Sequence, residues 1–300
     1  MHTQKRNITH KTGQRYVEGI EVRRDFDVAI IFERNQQLSY ILDKFKVTEI
    51  DDLTKNWSSW DGIIGYITLK SGAKVGLLAA KGPANAATAI ERAYRSGASH
   101  IFSIGTAGSL KKEIKKYDVV VAYAGVREES TTDAYAPKSV PAVCNPILLN
   151  DIFKRLTTEK KFDTHLGVAL TNCARFMEKP DLLTNISKGN LVHIIDMETS
   201  AVLLVSAIHN ISCVSIRIIT DSPAEKNSKY SDHSLSNISN LHGCAARWDD
   251  YGVLVPDRLA SVVKASLDVF EDITSSKGYV IFSTNSSNIN NKNNAKKYEK

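Results

Sequence analysis

The alternation of strand-like and helix-like segments between residues 27 and 273 constrains the fold of this chain more than any other feature. Short runs of apolar and β-branched residues, such as residues 27–32 and 213–221, have the length and composition of buried strands. Segments with apolar residues at helical spacing, such as residues 257–273, separate and follow them. This pattern predicts an α/β protein with a single domain, in which a twisted, mostly parallel central sheet is flanked by helices.

Each predicted element has a definite place along the chain. The predicted strands are residues 27–32, 63–69, 74–80, 100–105, 118–126, 164–173 and 213–221. The predicted helices are residues 38–45, 83–97, 148–156, 199–210 and 257–273. Glycine supports two boundaries, because Gly72 suits a hairpin turn and Gly97 suits the C-terminus of a helix.

The two ends of the chain differ from its body in composition and charge. We expect residues 1–26 to be flexible and residues 274–300, which are rich in Asn, Ser and Lys, to be disordered. The net charge of the whole chain is +6, yet residues 26–275 hold 28 basic and 29 acidic residues. Because nucleic-acid binding requires a basic surface on the folded body, we expect no nucleic-acid partner.

The composition also bears on the compartment and on metal binding. The first residues lack the apolar core of a signal peptide, and no apolar run approaches the ~20 residues of a bilayer span. The wide separation of the cysteines argues against a disulfide framework and a structural zinc site. These cysteines are Cys144, Cys173, Cys213 and Cys244. We therefore expect a cytoplasmic protein with no membrane partner, no metal and no cofactor.

Glycine-rich or acidic segments follow three of the predicted strands, at Gly82-Pro83, residues 105–108 and Asp221. Ligands of α/β sheets bind beyond the carboxyl ends of strands, and glycine lets the backbone approach a ligand closely. A turn explains each segment alone equally well, and an N-cap role explains Asp221. Glu198, which opens a predicted helix, could equally be an acid favoured by the helix dipole. Together the three strand ends indicate a ligand site.

Five blocks of the sequence, in their order and spacing, resemble the purine nucleoside phosphorylase and uridine phosphorylase superfamily. This superfamily also contains the methylthioadenosine/S-adenosylhomocysteine nucleosidases and the catalytic domain of AMP nucleosidase, and the resemblance is closest to this nucleosidase branch. The most specific pair is Met197-Glu198 followed by residues 219–221 (Ile-Thr-Asp). The blocks are Gly82-Pro83 with the helix after it and residues 101–110, 117–137, 194–204 and 215–221.

The resemblance implies that the chain cleaves the N-glycosidic bond between a base and ribose. On the sugar side, it implies that Glu198 binds the 2′- and 3′-hydroxyls and that Met197 packs under the sugar. It also implies that Gly105 and Thr106 lie near the anomeric carbon. Positive charge develops on the sugar as the bond breaks, and a nearby carboxylate stabilises that charge.

On the base side, the resemblance implies that Asp221 protonates the leaving purine at N7. A general acid in this position accelerates cleavage by about 10²–10⁴-fold. The resemblance further implies that Phe176 stacks on the base with Met177 beside it. Without the resemblance, both of these residues could be ordinary members of the core.

Residues that bind phosphate in the phosphorolytic members are missing. Ser103, Gln37 and Ile67 stand where those members carry arginines. Because a phosphate dianion normally requires cationic or bidentate donors, we expect water to be the acceptor. The resemblance therefore implies hydrolysis of a purine nucleoside, with methylthioadenosine or S-adenosylhomocysteine as the first expectation and an adenine nucleotide as the second.

Gln37 also stands where the nucleosidases usually carry a glutamate that positions or activates water. An amide orients water but cannot take its proton, so Glu33 is a candidate substitute. Two alternatives stay open. One is a phosphorylase with an atypical phosphate site, for which Arg34 and Lys81 are candidate cations, and the other is a nucleoside-binding or regulatory module without turnover.

The resemblance also implies a homo-oligomer, most simply a homodimer, because family members complete their sites with residues from a neighbouring subunit. The apolar residues 63–69 and the pair Trp57 and Trp60 suit such a contact surface. The acids of residues 127–131 could reach the 5′ side of a substrate or be solvated charges of a loop.

Overall fold

The computed structural model describes residues 26–52, 62–173, 191–222 and 254–275, which form a ten-stranded sheet and five α-helices. The strands are β1 (Val28–Phe32), β2 (Glu49–Asp52), β3 (Ile63–Thr68), β4 (Lys74–Ala79), β5 (His100–Ser109), β6 (Val119–Glu128), β7 (Ala142–Val143), β8 (Thr164–Asn172), β9 (Ile194–Asp196) and β10 (Ser212–Asp221). The helices are α1 (Asn35–Lys44), α2 (Pro83–Arg95), α3 (Pro146–Glu159), α4 (Thr199–Ile208) and α5 (Leu254–Ser275).

Strand β5 is the centre of the sheet. It pairs in parallel with β1 on one side and with β10 on the other, and its last two residues pair with β9 in the antiparallel direction. On its other edge, β10 pairs with β6. Strand β6 pairs with β8, and β8 pairs with β9. Because β9 returns to β5, the strands β5, β10, β6, β8 and β9 form a closed ring. Strands β1, β4, β3 and β2 extend the sheet outside it.

The predicted α/β fold with one central sheet between helices is confirmed, but the sheet is mixed rather than mostly parallel. Five of the pairings between described strands are parallel and five are antiparallel. The hairpin between β3 and β4 requires an antiparallel pair, and Gly72 takes the positive φ of its turn. The short strands β2, β7 and β9, which the sequence did not predict, contribute three further antiparallel pairs.

Helices pack on both faces of the sheet and bury two apolar layers. One layer lies between the sheet and α1, α3 and α5, and the other lies between the sheet and α2 and α4. Helix α4 is apolar on all sides, and eight of its ten residues are buried. Such a helix is stable only inside the protein, so α4 is fixed between α2, β6, β7 and β10. It therefore gives the residue directly before it, Glu198, a rigid support.

The apolar stretch at residues 63–69 mostly serves the chain's own core. Ile64 and Tyr66 are buried, and Ile63 alone among its large apolar residues is exposed. The expectation that this stretch forms a subunit contact therefore loses most of its basis. Trp57 and Trp60, the expected flexible N-terminal segment and the expected disordered tail lie outside the described residues, apart from Phe26 and the last two residues of α5. No helix in the described ranges has the length and apolarity required to cross a bilayer.

The core packing of α4 can be tested with two leucine substitutions. Leu204 is buried in the layer between α2 and the sheet, so Leu204→Ala should lower the free energy of unfolding by about 2–5 kcal/mol. Leu191→Ala removes the same atoms from a side chain that is 75% exposed and should change stability by about 0.5 kcal/mol or less. Urea unfolding measures both, and equal effects would contradict the described packing.

Candidate active site

The parallel strands bring several chain segments to one edge of the sheet. In the register, Phe32 at the end of β1 lies between Ala79 of β4 and Ile104 of β5. On the other side of β5, Gly105 lies opposite Arg217 of β10. The ends of β1, β4 and β10 therefore lie beside the second half of β5. The sequence predicted a ligand site from the ends of β4, β5 and β10, and the structure adds β1 to them.

Glu33, the first residue after β1, is buried against this part of β5. Its Oε2 accepts a hydrogen bond from the backbone N–H of Thr106 at 2.9 Å, and its Oε1 accepts one from the Thr106 hydroxyl. Gln37 Nε2 donates to Oε1 at 3.2 Å, and Arg34 Nε lies 3.3 Å from the same oxygen. All of these groups are donors, so the site is built around a carboxylate at residue 33.

Gln37 lies in the first turn of α1 and is almost fully buried. Its amide oxygen accepts the backbone N–H of Glu33 at 3.2 Å, while its amide nitrogen donates to the Glu33 carboxylate. The structure thus places Gln37, which has an amide and no carboxylate, directly beside the carboxylate of Glu33. Its predicted role in orienting water stays a prediction, and the geometry adds a second role, which is to hold Glu33.

Glu198 lies between β9 and α4 and is buried. Its side chain caps no amide of α4, and its Oε1 instead accepts the backbone N–H of Gly82 at 2.7 Å. Gly82 has a φ of 80°, which suits glycine. Burial, followed by the charge of Glu33, raises the pKa of Glu198 to about 8. The carboxyl group is therefore mostly protonated at neutral pH, and it serves the site rather than the helix dipole.

Arg217 is a central residue of the site that the sequence analysis missed. Its side chain is fully buried, Nε donates to Asp196 Oδ2 at 2.7 Å, and Nη1 and Nη2 each lie 3.2 Å from Ser103 Oγ. Burial alone would lower its pKa, but Asp196, Glu198 and other nearby carboxyl groups raise it above its usual value. The sequence did hold a signal for this residue, which is an arginine within the apolar, β-branched run of β10. An unpaired charge is too costly to bury, so such an arginine predicts an acidic partner nearby.

Gly105 leaves room for two charged groups to approach β5. A Cβ atom on this residue would lie 2.7 Å from Glu33 Oε2 and 3.2 Å from Arg217 Nη1. Any larger residue would therefore displace the carboxylate. The resemblance placed Gly105 and Thr106 beside the reacting sugar, and in the structure these residues position Glu33.

Asp196 fixes the turn that carries Met197 and Glu198. Its Oδ1 accepts the hydroxyl of Thr171 at 2.9 Å, and its Oδ2 accepts the backbone N–H of Thr199 at 3.1 Å. Met197 itself is half-buried. Since the same carboxylate also binds Arg217, the turn before α4 is tied to both β8 and β10, and Asp196 is a second site residue that sequence analysis did not assign.

Asp221 ends β10 opposite Gly108, at the same edge of the sheet and four residues beyond Arg217. It is half-buried, and Thr220 Oγ1 donates to its Oδ1 at 2.9 Å. Its position beyond the cluster of Glu33, Glu198 and Arg217 agrees with a base-side role, which stays a prediction. Phe176 and Met177, the predicted base-stacking pair, lie outside the described residues.

The acids of residues 127–131 differ in their environment. Glu129 is buried and accepts hydrogen bonds from the Ser200 hydroxyl at 2.9 Å and from the Thr132 backbone at 3.1 Å. Arg127 donates to three backbone carbonyl groups of residues 136–140. These two side chains therefore fasten a loop to the start of α4, whereas Glu128 is exposed.

A closed gap lies between α2, α4 and the sheet, and its packing leaves no room for a water molecule; we refer to it as the site crevice. Ionisable groups line one part of it and apolar side chains line the rest. Its lining residues are Ile31, Phe32, Glu33, Ala80, Ala86, Ser103, Glu198, Val202 and Arg217. Within the described ranges, no group of three His, Cys, Asp or Glu side chains could hold a metal ion.

Comparisons with known proteins agree with this architecture. A model of the phosphorylase superfamily matches residues 46–246. The purine nucleoside phosphorylase of Plasmodium falciparum (isolate 3D7) is 23% identical over 192 residues, which cover 62% of this chain and 69% of that protein.

Two solved structures illustrate the range of proteins with this fold. The uridine phosphorylase of Vibrio fischeri ES114 has a TM-score of 0.65 at 17% identity, over 83% of this chain and 93% of that one. The 5′-methylthioadenosine/S-adenosyl homocysteine nucleosidase of Campylobacter jejuni has a TM-score of 0.61 at 16% identity. The match covers 82% of this chain and 99% of that one. A phosphorylase and a nucleosidase thus share the fold, so the fold alone does not decide which acceptor is used.

The buried Glu198 should make stability depend on pH. Its pKa is about 8 in the folded protein against an ordinary value of 4.5, so in this range the folded state keeps a proton that the unfolded state has lost. Stability should therefore fall as pH rises from about 4.5 to about 8 and should level off above that. Glu198→Gln has no carboxyl group to ionise and does not lose this stability. The difference in Tm between the variant and the wild type should therefore shift in favour of the variant by roughly 5 °C or more from about pH 5 to pH 8.5.

The control for this experiment is Glu128→Gln, which removes an exposed carboxyl group of β6. The difference between its Tm and that of the wild type should be constant across the same pH range. A constant difference for Glu198→Gln as well would show that its carboxyl group is ionised in the folded protein at neutral pH.

Proposed function

Because the chain belongs to the phosphorylase superfamily, we propose that it hydrolyses the N-glycosidic bond of a purine nucleoside and releases the free base. The observation that carries this proposal is the carboxylate of Glu33, which is held against Thr106 in the site crevice. Hydrolysis needs a group that takes a proton from water, and Gln37 cannot do so. Glu33 supplies that group beside the residue that the resemblance associates with the anomeric carbon.

The reaction follows from the charges around this carboxylate. As the bond between the base and C1′ breaks, its electron pair leaves with the base and positive charge develops on the sugar. Water adds to C1′ and gives a proton to Glu33, while Asp221 gives a proton to N7 of the purine. The products are the free base and the free sugar, so no co-reactant other than water is required.

Glu198 is assigned to the sugar hydroxyls in this proposal. A mostly protonated carboxyl group both donates and accepts a hydrogen bond, which suits a pair of neighbouring hydroxyls. Gly82 holds one of its oxygens, and the rigid helix α4 supports its backbone. Met197 would pack under the sugar, and Phe176 with Met177 would stack on the base.

Electrostatics support water over phosphate as the acceptor. Glu33 and Asp196 lie beside Glu198, whose carboxyl group is mostly protonated, and Arg217 is the buried cation among them in the described part of the chain. Its guanidinium group is already bonded to Asp196 and Ser103. A phosphate dianion would add two negative charges to this cluster, whereas a water molecule adds none.

The finer expectations about the substrate and the assembly are part of this proposal. We favour methylthioadenosine or S-adenosylhomocysteine over an adenine nucleotide, because the resemblance is closest to the nucleosidase branch. A homodimer is the assembly that the family resemblance supports, and the cytoplasm is the compartment that we propose. The chain would then act in nucleoside metabolism.

Incubation with a panel of nucleosides, with and without phosphate, tests the acceptor. We expect base release in phosphate-free buffer, free sugar as the second product, and a rate that does not change when phosphate is added. Sugar 1-phosphate formed only when phosphate is present would identify a phosphorylase with an atypical site. Binding of nucleosides without any product would identify a binding or regulatory module.

The general acid can be tested separately. Asp221→Asn cannot give a proton to the purine, so kcat should fall by about 10²-fold or more while the fold and nucleoside binding are retained. A nitrophenyl riboside, whose leaving group needs no proton, should lose much less activity. Equal losses on the two substrates, or none on either, would remove Asp221 from this role.

A further inference from the structure

We infer that Glu33 determines the acceptor by excluding inorganic phosphate, because its carboxylate occupies the donors that would otherwise bind an oxyanion. The inference deepens the proposed hydrolysis and rests on it for the identity of the site. It goes further in assigning a specificity role to one residue. The assignment depends on how the two oxygens of Glu33 are bound, on the space around them and on the local charge.

The two oxygens of Glu33 are bound in the manner of a ligand. One accepts the backbone N–H of Thr106 and the other accepts the hydroxyl of the same residue. Adjacent N–H and O–H donors that take the two oxygens of one acid group can also take two oxygens of a bound oxyanion. Here an acid from the protein itself fills that site.

The surroundings of the carboxylate are also those of an anion site. Gly105 has no side chain, and the place of its Cβ lies 2.7 Å from Glu33 Oε2, so the carboxylate sits directly on the backbone of β5. Gln37 Nε2 and Arg34 Nε approach from α1 and from the residue before it, at 3.2 and 3.3 Å. Without the carboxylate, the buried donors of Gln37 and Thr106 would lose this acceptor, which is an unfavourable state that a bound anion relieves.

The negative charge of Glu33 disfavours phosphate binding, as does the volume that its side chain occupies. In the native chain, phosphate would have to displace a covalently attached anion, and it would face the Asp196 carboxylate as well. Shortening Glu33 to alanine removes one negative charge and opens the volume of a carboxymethyl group next to Arg34 and Thr106. The acceptor site would then favour a small oxyanion.

Titration with inorganic phosphate tests the inference by binding alone. Calorimetry should show that Glu33→Ala binds phosphate at least about tenfold more tightly than the wild type does, a difference of ~1.4 kcal/mol. Glu128→Ala is the matched control, since it removes the same charge from an exposed position on β6 and should bind phosphate no better than the wild type. Phosphate should also raise the Tm of Glu33→Ala and leave that of Glu128→Ala unchanged.

A second variant keeps the test valid if Glu33→Ala fails to fold. Glu33→Gln retains the volume and removes the charge, so it should show a smaller gain in phosphate affinity, of about threefold. The inference is overturned if a folded Glu33 variant binds phosphate no better than the wild type does. It is also overturned if the wild type and Glu128→Ala already bind phosphate as tightly as Glu33→Ala.

These results are distinguishable from a failure of the proposed hydrolysis. A wild type without turnover, combined with a Glu33→Ala variant that gains phosphate binding, would refute the hydrolysis and support the acceptor role of residue 33. Where both hold, Glu33→Ala should lose the release of free sugar and form sugar 1-phosphate when phosphate is supplied, because phosphate oxygen then adds to C1′ in place of water.

Discussion

The buried ion pair between Arg217 and Asp196 is the interaction on which the site depends. It joins the middle of β10 to the turn before α4, and the same Asp196 carboxylate orders that turn through Thr199. Removing one partner of such a pair leaves an uncompensated buried charge, which costs about 3–5 kcal/mol. Arg217 also interacts electrostatically with Glu33 and Glu198. The positive charge of Arg217 therefore stabilises negative charge on the neighbouring acids at this edge of the sheet.

Much of the fold could be predicted because long apolar runs indicate buried strands directly. The strands β1, β3, β4, β6 and β10 lie within a residue or two of their predicted bounds. The strands β2, β7 and β9 have only two to four residues, too few for a periodic pattern, and they pair because their neighbours bring them alongside. The short strands account for three of the five antiparallel pairings, so this part of the mixed direction was not predictable, whereas the hairpin between β3 and β4 was.

The candidate site shows a different limit of prediction. Gly105, Thr106 and Glu198 could be assigned because they follow or interrupt recognisable strands and match a family pattern. The roles of Glu33 and Arg217 depend on which way a side chain points within a folded interior, and that direction is set by packing across four strands. Gln37 illustrates the point, since its position was predicted while its bond to Glu33 was not.

The closed ring of strands has a consequence for the way the chain acquires its structure. Strand β5 near residue 100 must pair with β10 near residue 220, so the ring closes only after more than a hundred further residues are available. Pairings of such long sequence separation form slowly, because the entropy of closing the loop is lost before any contact is made. During synthesis on the ribosome, the edge of β5 that β10 will cover remains open to other chains. Unpaired strand edges are sites of association between chains, so completion of the chain through β10 is the step that removes this exposed edge.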